Sequence, residues 1–90
     1  MNIYEFADII GKNILITRVN NQNGRFFARF EGGEVKKGII LAGLFRNGDT
    51  PVEALNTYKD AIVGQTLVFN AASDTARQEF IVPKRLDDVA

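Results

Sequence analysis

The run best suited to chemistry in this 90-residue sequence is Gly48-Asp49-Thr50-Pro51 with Glu53 two positions later. A helix that begins here would offer free amides and the positive end of its dipole to a phosphate. The run lacks the lysine and repeated glycines of a nucleotide-binding loop, and Asp49 would repel an anion. Pro51 removes one amide, while Thr50 and Glu53 can cap others. The pattern therefore predicts the start of a helix, not a phosphate site.

Catalytic and metal-binding side chains are few. Cysteine and histidine are both absent, which excludes disulfides, thiolate metal ligands and Ser-His or Cys-His catalysis. Asp49, Glu53 and Asp60 are the only local set of acids, but Asp60 lies about two helical turns beyond Glu53. Asp87 and Asp88 belong to a segment with little patterning. We therefore predict no catalytic residue, no cofactor site and no metal site.

The residues best suited to binding lie on one predicted strand. Segment 25–31 alternates with period two, which places Arg25, Phe27 and Arg29 on one face and Phe26, Ala28 and Phe30 on the other. The second of these faces is predicted to be core. An exposed Phe27 between two arginines could anchor a protein contact or stack the bases of a single-stranded nucleic acid. The alternative is burial of Phe27 under a loop or in a dimer.

The composition limits the partners and the compartment. With 46% hydrophobic residues the chain can form one small core. Eleven basic and eleven acidic residues cancel, which disfavours nucleic acid and anionic membranes as partners. The longest apolar run, 38–45, is only as long as a strand, and residues 1–8 are acidic where a secretory signal would be basic. We therefore expect a cytoplasmic protein that does not bind membranes.

Two helices are predicted from their capping signals. Residues 2–5 form a capping box that begins a helix over residues 3–10. Residues 50–53 form a second box, with proline at the first helical position, and Gly64 ends that helix. Residues spaced to form one apolar stripe predict its buried face: Ala54, Leu55, Tyr58, Ala61 and Ile62.

Strands are predicted over the remaining patterned segments: 13–19, 25–31, 38–46, 66–71 and 79–82. The turn at 20–24 contains Asn23-Gly24, which can supply positive φ, and 32–37 is predicted to be a polar connection with some strand character. Segment 38–46 is apolar throughout, so we expect both its faces to be covered, and Gly43 indicates a bulge or a close backbone approach.

The predicted element order is α-β-β-β-α-β-β. It gives an α+β fold, an antiparallel sheet with both helices packed on one face. Residues 1–83 are predicted to form a single domain, and residues 84–90 a frayed tail. The α-β-β-β-α part is also the order of double-stranded-RNA-binding domains. Those domains carry lysines where this chain has Thr50-Pro51-Val52-Glu53-Ala54, so their phosphate contact is missing.

The sequence Gly-Asp-Thr-Pro-x-Glu-Ala-Leu at 48–55 resembles the strand-to-helix junction of HicB-like domains, the antitoxin half of a bacterial toxin–antitoxin pair. The similarity spans 14–62, about half the chain. Residues 84–90 contain no helix-turn-helix or ribbon-helix-helix segment, so we do not expect the DNA-binding autoregulation of that family to carry over. The later segments 67–71 and 81–83 resemble small uncharacterised proteins of phages and prophages. The resemblance implies a compact protein-binding module, often dimeric or tetrameric, in a bacterial cytoplasm or, if phage-encoded, in the host cytoplasm.

We therefore expect a non-enzymatic interaction module that binds another protein, a second copy of itself, or both, and that can mask or inhibit its partner. Arg25, Phe27 and Arg29 are the predicted partner-binding residues. Single-stranded nucleic-acid binding on the same strand face is the alternative function.

Overall fold

The computed structural model describes residues 1–21 and 24–90, so part of the predicted turn at 20–24 lies outside the described residues. The described part contains two helices and antiparallel strands, which confirms the α+β class. Segment 32–37 contains a strand, and the predicted strand 38–46 is divided into two short ones. The observed order is therefore α-β-β-β-β-β-α-β-β, with these elements: α1 (Ile3–Ile10), β1 (Ile14–Asn21), β2 (Gly24–Phe30), β3 (Gly33–Lys37), β4 (Ile40–Ala42), β5 (Arg46–Gly48), α2 (Pro51–Ile62), β6 (Thr66–Phe69) and β7 (Gln78–Ile81).

The strands form two sheets where a single sheet was predicted. One sheet has the order β1-β2-β5 and the other has the order β4-β3-β6-β7. The chain leaves the first sheet after Phe30, forms the β3–β4 hairpin, and returns to pair Arg46 with Ala28. The apolar segment 38–46 is not covered on both faces, because Ile39 at the hairpin turn and Ile40 in β4 are 101% and 65% exposed.

The helices begin where the capping signals placed them. In α1 both bonds of the capping box are present: Asn2 Oδ1 accepts from the Glu5 N–H at 3.0 Å, and Glu5 Oε1 accepts from the Asn2 N–H at 2.9 Å. In α2 the Thr50 hydroxyl accepts from the Glu53 N–H at 3.1 Å, but the return bond is not found among the described residues. The second box is thus half formed. Neither helix of the described chain is long and apolar enough to cross a membrane.

Phe30 joins the two sheets and both helices. Its ring centroid lies 6.3 Å from that of Phe6 in α1, 6.2 Å from that of Tyr58 in α2 and 6.0 Å from that of Phe69 in β6. A Cβ atom on Gly33 would lie 3.0 Å from Phe30 Cβ and 3.1 Å from the Phe69 ring. Glycine at position 33 therefore allows the chain to pass between the sheets while their central aromatic rings stay in contact.

Tyr58 satisfies a backbone group that the short strand β5 leaves unpaired. Phe26 and Ala28 pair with β5, but β5 begins at Arg46 and does not reach Phe30. The Phe30 N–H instead donates to the Tyr58 hydroxyl at 3.1 Å in the buried core. Burial raises the pKa of Tyr58, and this effect outweighs the hydrogen bond from Phe30 and the positive charge of Arg29, which act in the opposite direction.

Gly48 is where helix α2 touches the first sheet most closely. A Cβ atom at this position would lie 2.8 Å from the carbonyl carbon of Glu53 and 2.9 Å from Ala54 Cα. Only glycine allows the backbones of β5 and α2 to approach in this way. Gly43 was predicted to mark a bulge or a close backbone approach. The close approach is not found, because a Cβ atom at Gly43 would have no neighbour within 4 Å.

The predicted frayed tail, residues 84–90, lies against the domain instead. Leu86 is buried in the core, and the Asp87 N–H donates to the Met1 carbonyl at 2.8 Å. The side-chain amide of Asn56 in α2 binds the Val89 backbone twice, accepting from its N–H at 2.8 Å and donating to its carbonyl at 3.0 Å. These contacts explain why the tail is held although its sequence has little periodicity.

Candidate partner-binding site

Strand β2 presents one face to the helices and the other away from them. Ala28 and Phe30 are fully buried, and Phe26 is half-buried against the same core. Both helices contact this face, since Phe6 of α1 and Tyr58 of α2 meet Phe30. Because successive side chains of a strand alternate between faces, the three predicted binding residues lie on the side away from both helices.

The three predicted residues differ in exposure. Arg25 is exposed, whereas Phe27 and Arg29 are half-buried. Across the strands, Phe27 lies opposite Thr17 of β1 and Asn47 of β5. Arg29 lies opposite Leu15 in the same register, so the observed pairing agrees with the prediction that Phe27 and Arg29 share a face. Arg25 has no partner in this register, because it falls at the irregular step between the pairs Arg18–Phe26 and Asn21–Gly24.

Phe45 completes this surface, and sequence reasoning did not find it. Its ring centroid lies 5.2 Å from that of Phe27, with the ring planes at 54°, and its side chain remains 49% exposed. Phe45 immediately precedes β5, so its position depends on the pairing of Asn47 with Phe27. No local sequence pattern announces that pairing. We call the surface formed by Arg25, Phe27, Arg29 and Phe45 the Phe27 face.

The Phe27 face carries positive charge beside apolar rings. None of the ion pairs within the described residues includes Arg25 or Arg29. Their guanidinium groups can therefore donate to an external carboxylate, phosphate or carbonyl without first breaking an internal ion pair. An apolar centre with arginines beside it is the usual composition of a protein-contact surface.

The other candidate groups have structural surroundings. Asp49 and Glu53 are exposed at the start of α2, where Thr50 caps the helix as the sequence predicted. Asp60 is exposed and pairs with Lys59 at 2.7 Å. Across residues 1–21 and 24–90, no group of three or more potential metal-ligating side chains is present, and no pocket opens at the surface.

The sequence analysis missed two ion pairs that join the mostly buried Lys59 to two exposed carboxylates. The side chain of Lys59 is only 7% exposed, and its ammonium group contacts Asp60 and Asp88, the latter at 2.5 Å. Hydrogen bonds from the ammonium group to these two carboxylates raise the pKa of Lys59. The predicted apolar stripe of α2 included Ala61, which is half-buried, and omitted Lys59. No sequence pattern linked Lys59 to Asp88, which lies 29 positions later in the chain.

A second charged cluster lies on the four-stranded sheet. Glu79 of β7 pairs with Lys36 of β3 at 3.3 Å and with Arg77 at 3.0 Å. The hydrogen bonds from Arg77 and then from Lys36 lower the pKa of Glu79. All three side chains are partly exposed, so the cluster is a solvated ion-pair network of small energetic weight.

Comparison with known proteins adds no relative to this description: no family model matches the chain, and neither a curated protein nor a solved structure matches it.

Proposed function

We propose that this chain is a non-enzymatic interaction module that binds another protein through the Phe27 face. The observation that carries the proposal is the pair formed by Phe27 and Phe45. These two rings touch each other on the sheet face that neither helix covers, and Phe45 keeps 49% of its surface in contact with solvent. A partner that covers the pair would remove this apolar area from water.

Two further features support a protein partner. The chain carries equal numbers of basic and acidic residues, so Arg25 and Arg29 supply local charge without a global field that attracts polyanions. The resemblance of residues 48–55 to HicB-like antitoxins favours a binder that masks or inhibits a bacterial or phage protein in the cytoplasm. The proposal keeps the prediction that the chain has no catalytic residue, no metal site and no cofactor site.

The test compares two phenylalanine-to-alanine variants with a matched apolar control. The bait is the protein encoded beside this gene, and binding is measured by calorimetry for the wild type, Phe27→Ala, Phe45→Ala and Ile81→Ala. We expect each Phe27-face variant to lose about 2 kcal/mol of binding free energy, roughly thirtyfold in Kd. Ile81 is 78% exposed on the other sheet, so Ile81→Ala should bind as the wild type does.

The result that overturns this proposal is equal binding by all four proteins, with melting temperatures showing that each is folded. A bait that does not bind the wild type would be replaced by the products of the next neighbouring genes. If none binds, the proposed masking of a neighbouring gene product is wrong.

Single-stranded nucleic-acid binding is the second candidate, favoured by two adjacent aromatic rings and by two arginines that take no part in the ion pairs of residues 1–21 and 24–90. Fluorescence anisotropy with a labelled mixed-sequence oligonucleotide, at low and at physiological salt, tests it. Binding that weakens with salt and disappears in both Phe27→Ala and Arg25→Ala would support this function. No binding at low salt would remove it.

A further inference from the structure

The outer edge of strand β1 is the longest unpaired strand edge in the described molecule. The edge strands of the three-stranded sheet are β1 and β5, and those of the four-stranded sheet are β4 and β7. β4 and β5 have three residues each and β7 has four, whereas β1 has eight. Short edge strands discourage pairing with other chains, and β7 is in addition followed closely by Pro83. β1 has neither protection over residues 14–18, and the irregular step in its pairing with β2 lies beyond them, between Arg18 and Asn21.

The hydrogen-bond pattern shows which groups of β1 point outwards. The Glu31 N–H donates to the Asn13 carbonyl at 2.9 Å, so the pair 13–31 is a hydrogen-bonded one. In an antiparallel ladder bonded and non-bonded pairs alternate, which makes Leu15 and Thr17 bonded to β2. The N–H and C=O groups of Ile14, Ile16 and Arg18 therefore point to the free edge.

The side chains of this edge lack the usual devices against strand pairing. Residues 14–17 contain no charge, no proline and no glycine, and Ile16 is 36% exposed. Arg18 is the first charged residue along the strand. An unpaired edge with these properties is a template for another β-strand.

A second copy of β1 fits this edge when the two strands run antiparallel about a two-fold axis at Ile16. Ile16 then lies opposite its own copy, and Ile14 lies opposite Arg18, so the two arginines stay apart. All outward backbone groups of residues 14–18 pair in this register, giving about six hydrogen bonds. A register centred on Arg18 would instead place like charges opposite each other, which is destabilising.

We propose that the chain forms a two-fold homodimer through the β1 edge, joining the two three-stranded sheets into one six-stranded sheet. Thr17 is paired with Phe27, so the dimer would also bring the two Phe27 faces onto one continuous sheet surface. The proposal does not depend on what the Phe27 face binds, and a change at Phe27 should leave the dimer intact.

Proline substitution tests the edge directly. Ile16→Pro removes an N–H that points outwards, whereas Leu15→Pro removes one that is bonded to β2. We expect Ile16→Pro to remain folded and to be monomeric at concentrations where the wild type is dimeric by sedimentation equilibrium. We expect Leu15→Pro to lose stability. Ile16→Lys would place two lysines opposite each other at the two-fold axis, so this variant should also be monomeric. It replaces Ile16→Pro as the test if the proline variant does not fold.

Cysteine crosslinking tests the register, because the wild-type chain contains no cysteine. Under mild oxidation Ile16→Cys should form a disulfide-linked dimer, since directly opposite Cα atoms lie within disulfide range. Ile40→Cys and Ile81→Cys on the other sheet's edges are the controls; both positions are more exposed than Ile16, at 65% and 78%. A wild type that is monomeric at every concentration, or controls that crosslink as fast as Ile16→Cys, would overturn the proposal.

Discussion

Phe27 and Phe30 stand on the same strand, three positions apart, and have opposite surroundings. Phe30 is fully buried and meets aromatic rings from α1, α2 and the second sheet. Phe27 is half-buried, and its one aromatic neighbour in the described residues is Phe45, which is itself half exposed. The difference shows that the Phe30 side of β2 stabilises the fold, while the Phe27 side keeps apolar area exposed that a partner could cover.

The largest effect should come from truncating Phe30, and the same truncation at Phe27 gives the comparison. Phe30→Ala removes the ring that joins both sheets, and we expect it to lower the free energy of unfolding by about 4 kcal/mol. Phe27→Ala should lower it by about 1 kcal/mol, because that ring is already partly in water. Urea denaturation of both variants measures the difference. Equal losses would show that the two faces contribute alike to stability and would break the comparison.

The division between these faces was accessible from the sequence, because alternation along β2 fixes which side chains share a face. The choice of core face was also accessible, since Phe26, Ala28 and Phe30 form the more apolar set. The starts of both helices followed from local caps: Asn2 and Thr50 need only neighbours within three residues. These features depend only on residues close in sequence, so they can be predicted without knowing which strands pair.

The features that sequence reasoning missed depend on distant pairing. The apolar segment 38–46 looked like one buried strand, but β4 pairs with β3 and β5 pairs with β2, and composition does not encode that choice. The position of Phe45 on the Phe27 face was therefore not predicted. The tail was missed because its anchors, Asn56 and Lys59, lie about thirty residues earlier in the chain.

The next largest effect should come from adding one methyl group at Gly48. Gly48→Ala would place a Cβ atom within 3 Å of the α2 backbone, and we expect it to cost about 3 kcal/mol because backbone on both sides must shift. This change lies on the helix-covered face of the sheet, where Gly48 pairs with Phe26. Thermal and urea denaturation measure the loss.

Gly43→Ala is the matched control for that change. A Cβ atom at Gly43 would have open space around it, so the substitution should change stability by less than about 1 kcal/mol in either direction. If Gly48→Ala is as stable as Gly43→Ala, then α2 does not lie against β5 as closely as the structure has it.

The smallest of the three effects concerns a single hydroxyl group on the covered face. Tyr58→Phe leaves the Phe30 N–H buried without an acceptor, and we expect it to cost about 2 kcal/mol at neutral pH. Thr17→Val removes an exposed hydroxyl from the open face, next to Phe27, and should change stability by less than about 0.5 kcal/mol. Urea denaturation at neutral pH compares the two.

The cost of Tyr58→Phe should also depend on pH. Because burial raises the pKa of Tyr58 in the fold above its usual value of 10.0, the stability that the neutral hydroxyl contributes is complete below pH 10.0. Above that pH the unfolded chain releases the Tyr58 proton first, so the wild type loses stability by up to about 1.4 kcal/mol per pH unit. The gap between wild type and Tyr58→Phe should therefore narrow in alkali, while Thr17→Val should follow the wild type. If the stability difference between wild type and Tyr58→Phe stays constant from neutral pH into that range, the Tyr58 hydroxyl is exposed to solvent. The two faces of the sheet would then not differ at this position.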